Sequence, residues 1–365
     1  MRVSASRRWL ALAGATLMLV SACSSAATPA PTAAPTAAPA ASAAASSAAS
    51  AVPASAAARA KVCDAGKTEG KLVYWNLFSS PDKIVAEFNK AYPGIQVDLV
   101  SNHPDDLVQG LLTELAAGRK PTADMLYGEL NILQPVEAVK GVNTTIDWKS
   151  LGVNADLLSP VMNSVRLFRV AMGLTYNTKL VKAADLPNTW AGLVDAKWKG
   201  QIVTDPRGRP FDQMSLIWGE EQTLNYVRTL KAINPLVIKG GTAGILAIAS
   251  EQGSIVAGGR SAETAEQKSK GLPIELKFLD VIPTIDSHNI VTAGAQHPNA
   301  AACMVSWLAN EGQAVHDKIE FKSNTTVPQG APAETKYAEV ITTDSAKTVA
   351  AIGKKIGDLL TGITK

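Results

Sequence analysis

From Lys71 to Glu129 the apolar residues switch repeatedly between strand and helix spacing, and this alternation constrains the fold more than any other feature of the chain. Leu72, Val73, Tyr74 and Trp75 read as a buried strand. Ser80 is a suitable N-cap and Pro81 fits the first helical turn. Ile84, Val85, Phe88 and Tyr92 then recur at helical spacing until Pro93-Gly94 stops the run. Ile95, Val97 and Leu99 alternate as a second strand. Leu107, Val108, Leu111, Leu112 and Leu115 mark a second helix, and residues 123–127 a third strand ending at Gly128-Glu129. This βαβαβ rhythm predicts an α/β fold with a parallel or mixed sheet covered by helices. Ligands of such sheets sit beyond the carboxyl ends of strands and beside helix N-termini, here residues 76–80 and Gly128-Glu129.

A second unit of the same kind follows Met172-Gly173-Leu174-Thr175-Tyr176-Asn177. Pro187 and Trp190 open a short helix, residues 199–204 read as a strand, and a helix is expected over 213–218. Between the last two lies Asp205-Pro206-Arg207-Gly208-Arg209-Pro210-Phe211-Asp212. A Gly/Pro-interrupted turn feeding a helix presents unpaired backbone N–H groups, and its two arginines can clamp a carboxylate or phosphate. The same turn fits a solvated loop equally well.

The N-terminal part is of another kind. Arg2, Arg7 and Arg8 precede an apolar stretch over 9–20, then Ser21, Ala22 and Cys23. This is the layout of a secretory signal peptide over residues 1–22, and the stretch is shorter than the ~20 residues a bilayer span needs. The cysteine at the cleavage site resembles a bacterial lipoprotein lipobox, which implies that Cys23 is acylated and anchors the protein to the cell membrane, in the periplasm or on the outer face. Residues 23–60 are almost entirely Ala, Ser, Thr and Pro, with Arg59 as their one charge. Small residues bury little area and Pro29, Pro31, Pro35, Pro39 and Pro53 interrupt helix. A tether spanning on the order of 35 Å is expected, with no packed core before about Lys61.

The chain carries 35 Lys+Arg against 32 Asp+Glu, and the leader's three arginines account for the whole excess. The mature chain is neutral, so no basic field for nucleic acid exists. Besides Cys23 there are Cys63 and Cys303, either one disulfide or two buried thiols. No CxxC or HExxH occurs and His103, His288, His297 and His316 are scattered, so neither a metal site nor a cofactor is expected. The chain has no GxxxxGK[ST] loop, so ATP hydrolysis would belong to a partner.

Several blocks together resemble a known family. They are Gly173-Leu174-Thr175-Tyr176-Asn177-Thr178-Lys179-Leu180, Leu186-Pro187-Asn188-Thr189-Trp190 through Trp198-Lys199-Gly200, Asp205-Pro206-Arg207, and Ala295-Gln296-His297-Pro298-Asn299-Ala300-Ala301 leading to Trp307-Leu308 and Glu311-Gly312-Gln313. They look like the extracellular solute-binding proteins of ABC importers, in the ferric-binding-protein-like branch. The resemblance implies a type II periplasmic-binding-protein fold whose hinge the chain crosses twice, near 169–175 and 279–291. Lobe I would hold residues 61–170 and 283–365, with final helices over 348–360 near the hinge, and lobe II residues 171–282. It also implies a monomer without enzymatic activity that traps a small molecule between its lobes and delivers it to a membrane permease driven by an ATPase subunit.

Ferric-binding relatives hold iron through adjacent second-lobe tyrosines and often a first-lobe glutamate. Pro121-Thr122-Ala123-Asp124-Met125-Leu126-Tyr127-Gly128-Glu129 matches the block carrying that glutamate, which puts Glu129 at its position. No two of the six tyrosines are adjacent, and the place expected for the pair reads Ala257-Gly258-Gly259-Arg260-Ser261-Ala262. A guanidinium repels cations and binds oxyanions. The expected ligand is therefore a small anionic or zwitterionic organic solute: a carboxylate, phosphonate or sugar phosphate. Arg207 or Arg209 with Arg260 would hold it from the second lobe beside Asp212, and Asn76, Ser79 and Ser80 with their helix amides from the first. Glu129 either receives an ammonium group or pairs with a clamp arginine. Trp75, Phe78 and Phe211 are candidate apolar walls, Trp75 being equally suited to the core, and Asp286 and His288 lie near the second crossing, His288 as hinge packing. The alternatives are a ferric or iron-chelate binder of the same fold, a ligand sensor docking on a receptor, and a secreted hydrolase, for which no GxSxG elbow is present.

Overall fold

The computed structural model describes residues 54–324, 330–332, 334–340 and 342–362. The leader, Cys23 and the tether up to residue 53 lie outside the described residues. The first part of the chain runs α1 (Ala54–Glu69), β1 (Lys71–Asn76), α2 (Pro81–Ala91), β2 (Gln96–Ser101), α3 (Pro104–Ala116), β3 (Met125–Glu129) and α4 (Leu130–Ala138). The long strand β4 (Ser164–Asn177) leads into β5 (Ile202–Thr204), α5 (Phe211–Trp218), α6 (Glu220–Ala232), β6 (Leu236–Val237), α7 (Gly241–Ala249), β7 (Ile255–Arg260), α8 (Ser261–Ser269) and β8 (Ile274–Lys277). A second long strand, β9 (Val281–Val291), is followed by α9 (Pro298–Ala309), α10 (Gln313–Glu320), β10 (Lys336–Ala338) and α11 (Thr343–Thr361).

Residues that the composition assigns to the tether are helical from Ala54. Beyond Pro53 no proline interrupts the alanines, so helix preference prevails, and α1 has a docking surface to support it. Cys63 is disulfide-bonded to Cys303 of α9. The Glu69 carboxylate accepts the N–H groups of Asn299 and Ala300 at 3.2 and 2.8 Å, capping the start of α9. Arg59 reaches Glu311 at 3.1 Å. Residues 54–60 therefore belong to the packed body rather than to the tether.

The sheet runs β2-β1-β3-β9-β4-β7-β5-β6, with β10 on β9 and β8 on β4. β1 pairs parallel with β2 and β3, β5 pairs parallel with β6 and β7, and antiparallel pairings of β4 and β9 join the two groups. All of β4 is buried, and it changes partner midway: Ser164–Ala171 lies along β9, whereas Met172–Tyr176 lies along β7. At the switch the register slips between Gly173 and Leu174, and a Cβ on Gly173 would overlap the Lys277 carbonyl. Asp286 of β9 bridges Arg166 and Arg169 of β4 at 3.3 and 2.6 Å, and Arg169 also holds Glu339 at 2.9 Å. His288 lies buried in the same strand with Nδ1 3.1 Å from Ser164 Oγ, and burial lowers its pKa to about 4. It packs the crossing strands and lines neither cavity described below.

Two cores flank these strands. Leu72, Tyr74, Phe88, Met125, Cys303 and Trp307 belong to one, and Leu174, Trp190, Phe211, Met214 and Ile255 to the other. Trp75 is nearly buried in a further cluster with Leu111 and Leu126, so it is core rather than cleft wall. The C-terminal helix departs from the expected placement of 283–365 in lobe I. Ile352, Ile356 and Leu360 of α11 are buried in the second core, beside Phe211 and Met214. Gly357 lets the helix approach so closely that a Cβ there would stand 2.7 Å from the Pro206 carbonyl. The amphipathic stripe at i, i+4 and i+8 buries its apolar face against α5 and α6.

Candidate ligand-binding site

The carboxyl end of β3 faces the loop before α5 and the junction of β7 with α8 across a cleft containing two cavities. The first, of about 340 Å³, is lined by Glu129, Arg207, Arg209, Asp212 and Arg260 and roofed by Val349 and Gly353 of α11. The second, of about 220 Å³, lies among Ser79, Phe168, Glu263, Glu320 and Lys322. Leu77, Tyr127, Glu129 and Arg260 line both, so the two adjoin.

The arginines are held by carboxylates of the chain itself. Asp205 receives Nη2 of Arg207 at 2.6 Å and the N–H of Gly240 at 3.1 Å, which fixes the turn before α5. Arg209 donates from Nη2 to Glu129 Oε2 at 2.5 Å, while its buried Nη1 has no hydrogen-bond partner among the described residues. Burial alone would lower the Arg209 pKa, but Glu129 and Asp212 outweigh it and keep the guanidinium charged. Asp212 itself, buried at the start of α5, is pushed up to about 6 by desolvation, although Arg209 pulls the other way. Arg260 ends β7 and donates to Glu263 Oε1 at 3.0 Å. Of the two roles open to Glu129, the structure shows the ion pair, and that pair ties β3 to the loop before α5.

The first-lobe side differs from expectation. The N–H groups of Ser79 and Ser80 at the start of α2 donate to Glu320 at 2.9 and 2.8 Å, so an internal carboxylate holds the helix terminus proposed for ligand. Burial would raise the Glu320 pKa, but Lys322 and those two amides outweigh it and hold it below its ordinary value. Asn76 is fully buried, and its side chain accepts from Phe78 N–H and donates to the Tyr74 carbonyl, which shapes the turn. Phe78 is core, edge-on to Tyr74. Phe211 is fully buried against Trp190 and Tyr226, because the first turn of α5 faces inward.

Glu129, Arg207, Arg209, Asp212 and Arg260 are thus brought together, Ser79 lines the second cavity, and Asn76, Ser80 and Phe211 line neither. Sequence reasoning missed Leu77, Tyr127, Glu263, Glu320, Lys322 and the face of α11. Leu77 left a trace, as an apolar residue in a polar turn. Glu320 left none, since it lies 240 residues from Ser80.

Solved structures share this architecture. Iron-bound HitA from Pseudomonas aeruginosa is 19% identical, with a TM-score of 0.63 over 79% of this chain and 99% of that one. AfuA from Actinobacillus pleuropneumoniae with bound fructose-6-phosphate is 20% identical, with a TM-score of 0.62 over 80% and 97%. Trichodesmium IdiA (FutA) with iron and citrate is 17% identical, with a TM-score of 0.62 over 80% and 99%. The fold is that of a two-lobed periplasmic binding protein. Residues 76–315 match the bacterial extracellular solute-binding protein model, and the chain belongs to that family. Its members act outside the cytoplasm, bind a small ligand without transforming it and deliver it to an ABC permease, which removes the hydrolase alternative. No curated protein matches the sequence. Among the described residues no helix is long and apolar enough to cross a membrane.

Proposed function

We propose that this solute-binding protein captures a small anionic organic solute, a carboxylate, phosphonate or sugar phosphate, through Arg207, Arg209 and Arg260. The observation that carries the reading is the convergence of three guanidinium groups on one cavity, with a buried donor of Arg209 still unpaired. A buried N–H without an acceptor costs about 1–3 kcal/mol, and a ligand oxyanion that reaches it recovers that cost. Capture of a bare ferric ion has less support. Tyr127 is the tyrosine lining the cavities, and burial, then the charge of Glu129, raises its pKa and keeps the phenol protonated. A ferric chelate is the second reading, since the Trichodesmium relative holds iron with citrate and a chelate can turn carboxylates toward arginines.

Ligand shifts the lobes toward closure only through contacts that are better in the closed form. Thermal unfolding of the protein with phosphonates, carboxylates, sugar phosphates, ferric citrate and ferric chloride tests the reading. A true ligand at a hundredfold excess over its Kd adds about 3 kcal/mol. Organic anions should stabilise, ferric chloride should not, and Arg260→Glu should abolish the effect. Stabilisation by ferric chloride alone would overturn the reading. The lobe I/lobe II division at the crossing strands, a monomeric state and acylation of Cys23 complete the proposal; release of Cys23→Ser into the medium tests the anchor.

A further inference from the structure

The two adjoining cavities differ in sign. Around the first, Arg207, Arg209, Arg260 and Lys354 face Asp105, Glu129 and Asp212, four cations against three carboxylates. Around the second the balance reverses: Glu129, Glu263, Glu266 and Glu320 face Arg260 and Lys322, four carboxylates against two cations. Arg260 and Glu129 stand on the shared wall, so a single solute extending through it passes from positive to negative surroundings.

Each side also holds a buried polar atom with no partner among the described residues. Among the residues lining the first cavity Arg209 carries an unpaired donor, Nη1, and among those lining the second Glu263 carries an unpaired acceptor, Oε2. Glu263 is held in place from its other oxygen, since Oε1 takes the Arg260 hydrogen bond at 3.0 Å. Phe168, Val170 and Ile285 give the second cavity an apolar side, and two of its other carboxylates are already engaged, Glu129 by Arg209 and Glu320 by Ser79, Ser80 and Lys322. Water displaced by a solute entering this cavity strengthens a charge-assisted hydrogen bond to Glu263.

We propose that the solute is dipolar. Its oxyanion lies in the first cavity against Arg209, and a protonated amine lies in the second with one N–H donated to Glu263 Oε2. Glu266 and Glu320 add negative potential around the amine. This assignment rests on the anion reading above and narrows it to amino-substituted phosphonates, phosphates or carboxylates. Glu263 is then the residue that separates amine-bearing solutes from their plain analogues.

Isothermal titration of the protein with ω-aminoalkylphosphonates of two to four carbons, matched alkylphosphonates, matched ω-hydroxyalkylphosphonates, propylamine and ferric citrate tests it. The best aminoalkylphosphonate should bind at least about tenfold more tightly than both its alkyl and hydroxyl counterparts, with propylamine alone not binding. Glu263→Gln should erase that preference while leaving alkylphosphonate affinity within about twofold, and Glu266→Gln should reduce it about threefold. Equal binding of amino and alkyl compounds, or preference for the hydroxyl compound, overturns the dipolar assignment and leaves the anion reading intact. Binding of ferric citrate with no binding of any phosphonate overturns both. The comparison among ligands on the unaltered protein decides the matter even where a Glu263 variant fails to fold.

Discussion

The Glu129–Arg209 pair joins the two sides of the cleft and can be tested quantitatively. The charged atoms are 2.5 Å apart and the side chains are only 19% and 14% exposed, so solvent screens them little. With charge centres about 4 Å apart and an effective dielectric near 20, the attraction is about 4 kcal/mol. A charge-assisted hydrogen bond keeps about 1.5–3 kcal/mol after desolvation. A double-mutant cycle of Glu129→Gln and Arg209→Met should therefore give a coupling energy of about 1.5–3 kcal/mol. Arg209→Met alone should cost about 3–5 kcal/mol, because it strands Glu129 opposite Asp212. Urea unfolding without ligand, followed by tryptophan fluorescence, measures all four proteins. Ligand titration adds a sign test: Glu129→Gln frees Arg209 and raises anion affinity, whereas Arg209→Met lowers it. A coupling below about 0.5 kcal/mol, the range of an exposed ion pair, would refute the reasoning.

Three further outcomes are expected. Reducing the Cys63–Cys303 bond frees a loop of 240 residues; the chain-entropy relation puts the loss at about 5.5 kcal/mol, read as a lower urea midpoint under reductant, and an unchanged midpoint contradicts it. Asp212 has a folded pKa raised to about 6 from 3.8, so the native state takes up its proton first and stability falls as pH rises from about 4 to 6. The same ionisation adds a negative charge beside the arginines, so anion affinity should be about fivefold higher at pH 5 than at pH 7.5, a dependence that Asp212→Asn should flatten. Gly357→Ala pushes a methyl into the Pro206 carbonyl and should cost about 2 kcal/mol, whereas Gly353→Ala meets ordinary contacts at 3.6 Å and should be nearly neutral by thermal unfolding.

Local patterns carried much of this structure. The spacing of Ile84 and Phe88 and the alternation at 95–99 reflect one buried face each, and periodicity records that directly. Arg207 and Arg209 could be singled out from the Gly/Pro-interrupted turn that carries them, and Arg260 from standing where the resembling family places its tyrosine pair. What sequence could not reveal were contacts closed across the whole chain. Ser79 and Ser80 show an open helix terminus, but nothing nearby announces the carboxylate of Glu320 that fills it. Asn76 looked available because a polar residue after a strand reads as exposed; its side chain instead completes the turn. The alanines after residue 53 read as linker because their helix depends on Glu69, Cys63 and Arg59 finding partners more than 200 residues away.

The placement of α11 has a consequence for biosynthesis. Its buried residues complete the second core, and Val349, Ala350, Gly353 and Lys354 form part of the ceiling over the arginines. These residues leave the ribosome or a translocation channel after every other residue lining that cavity. The arginine pocket therefore stays unfinished until α11 has emerged, and a product terminated before α11 presents the arginines to solvent without a closed chamber.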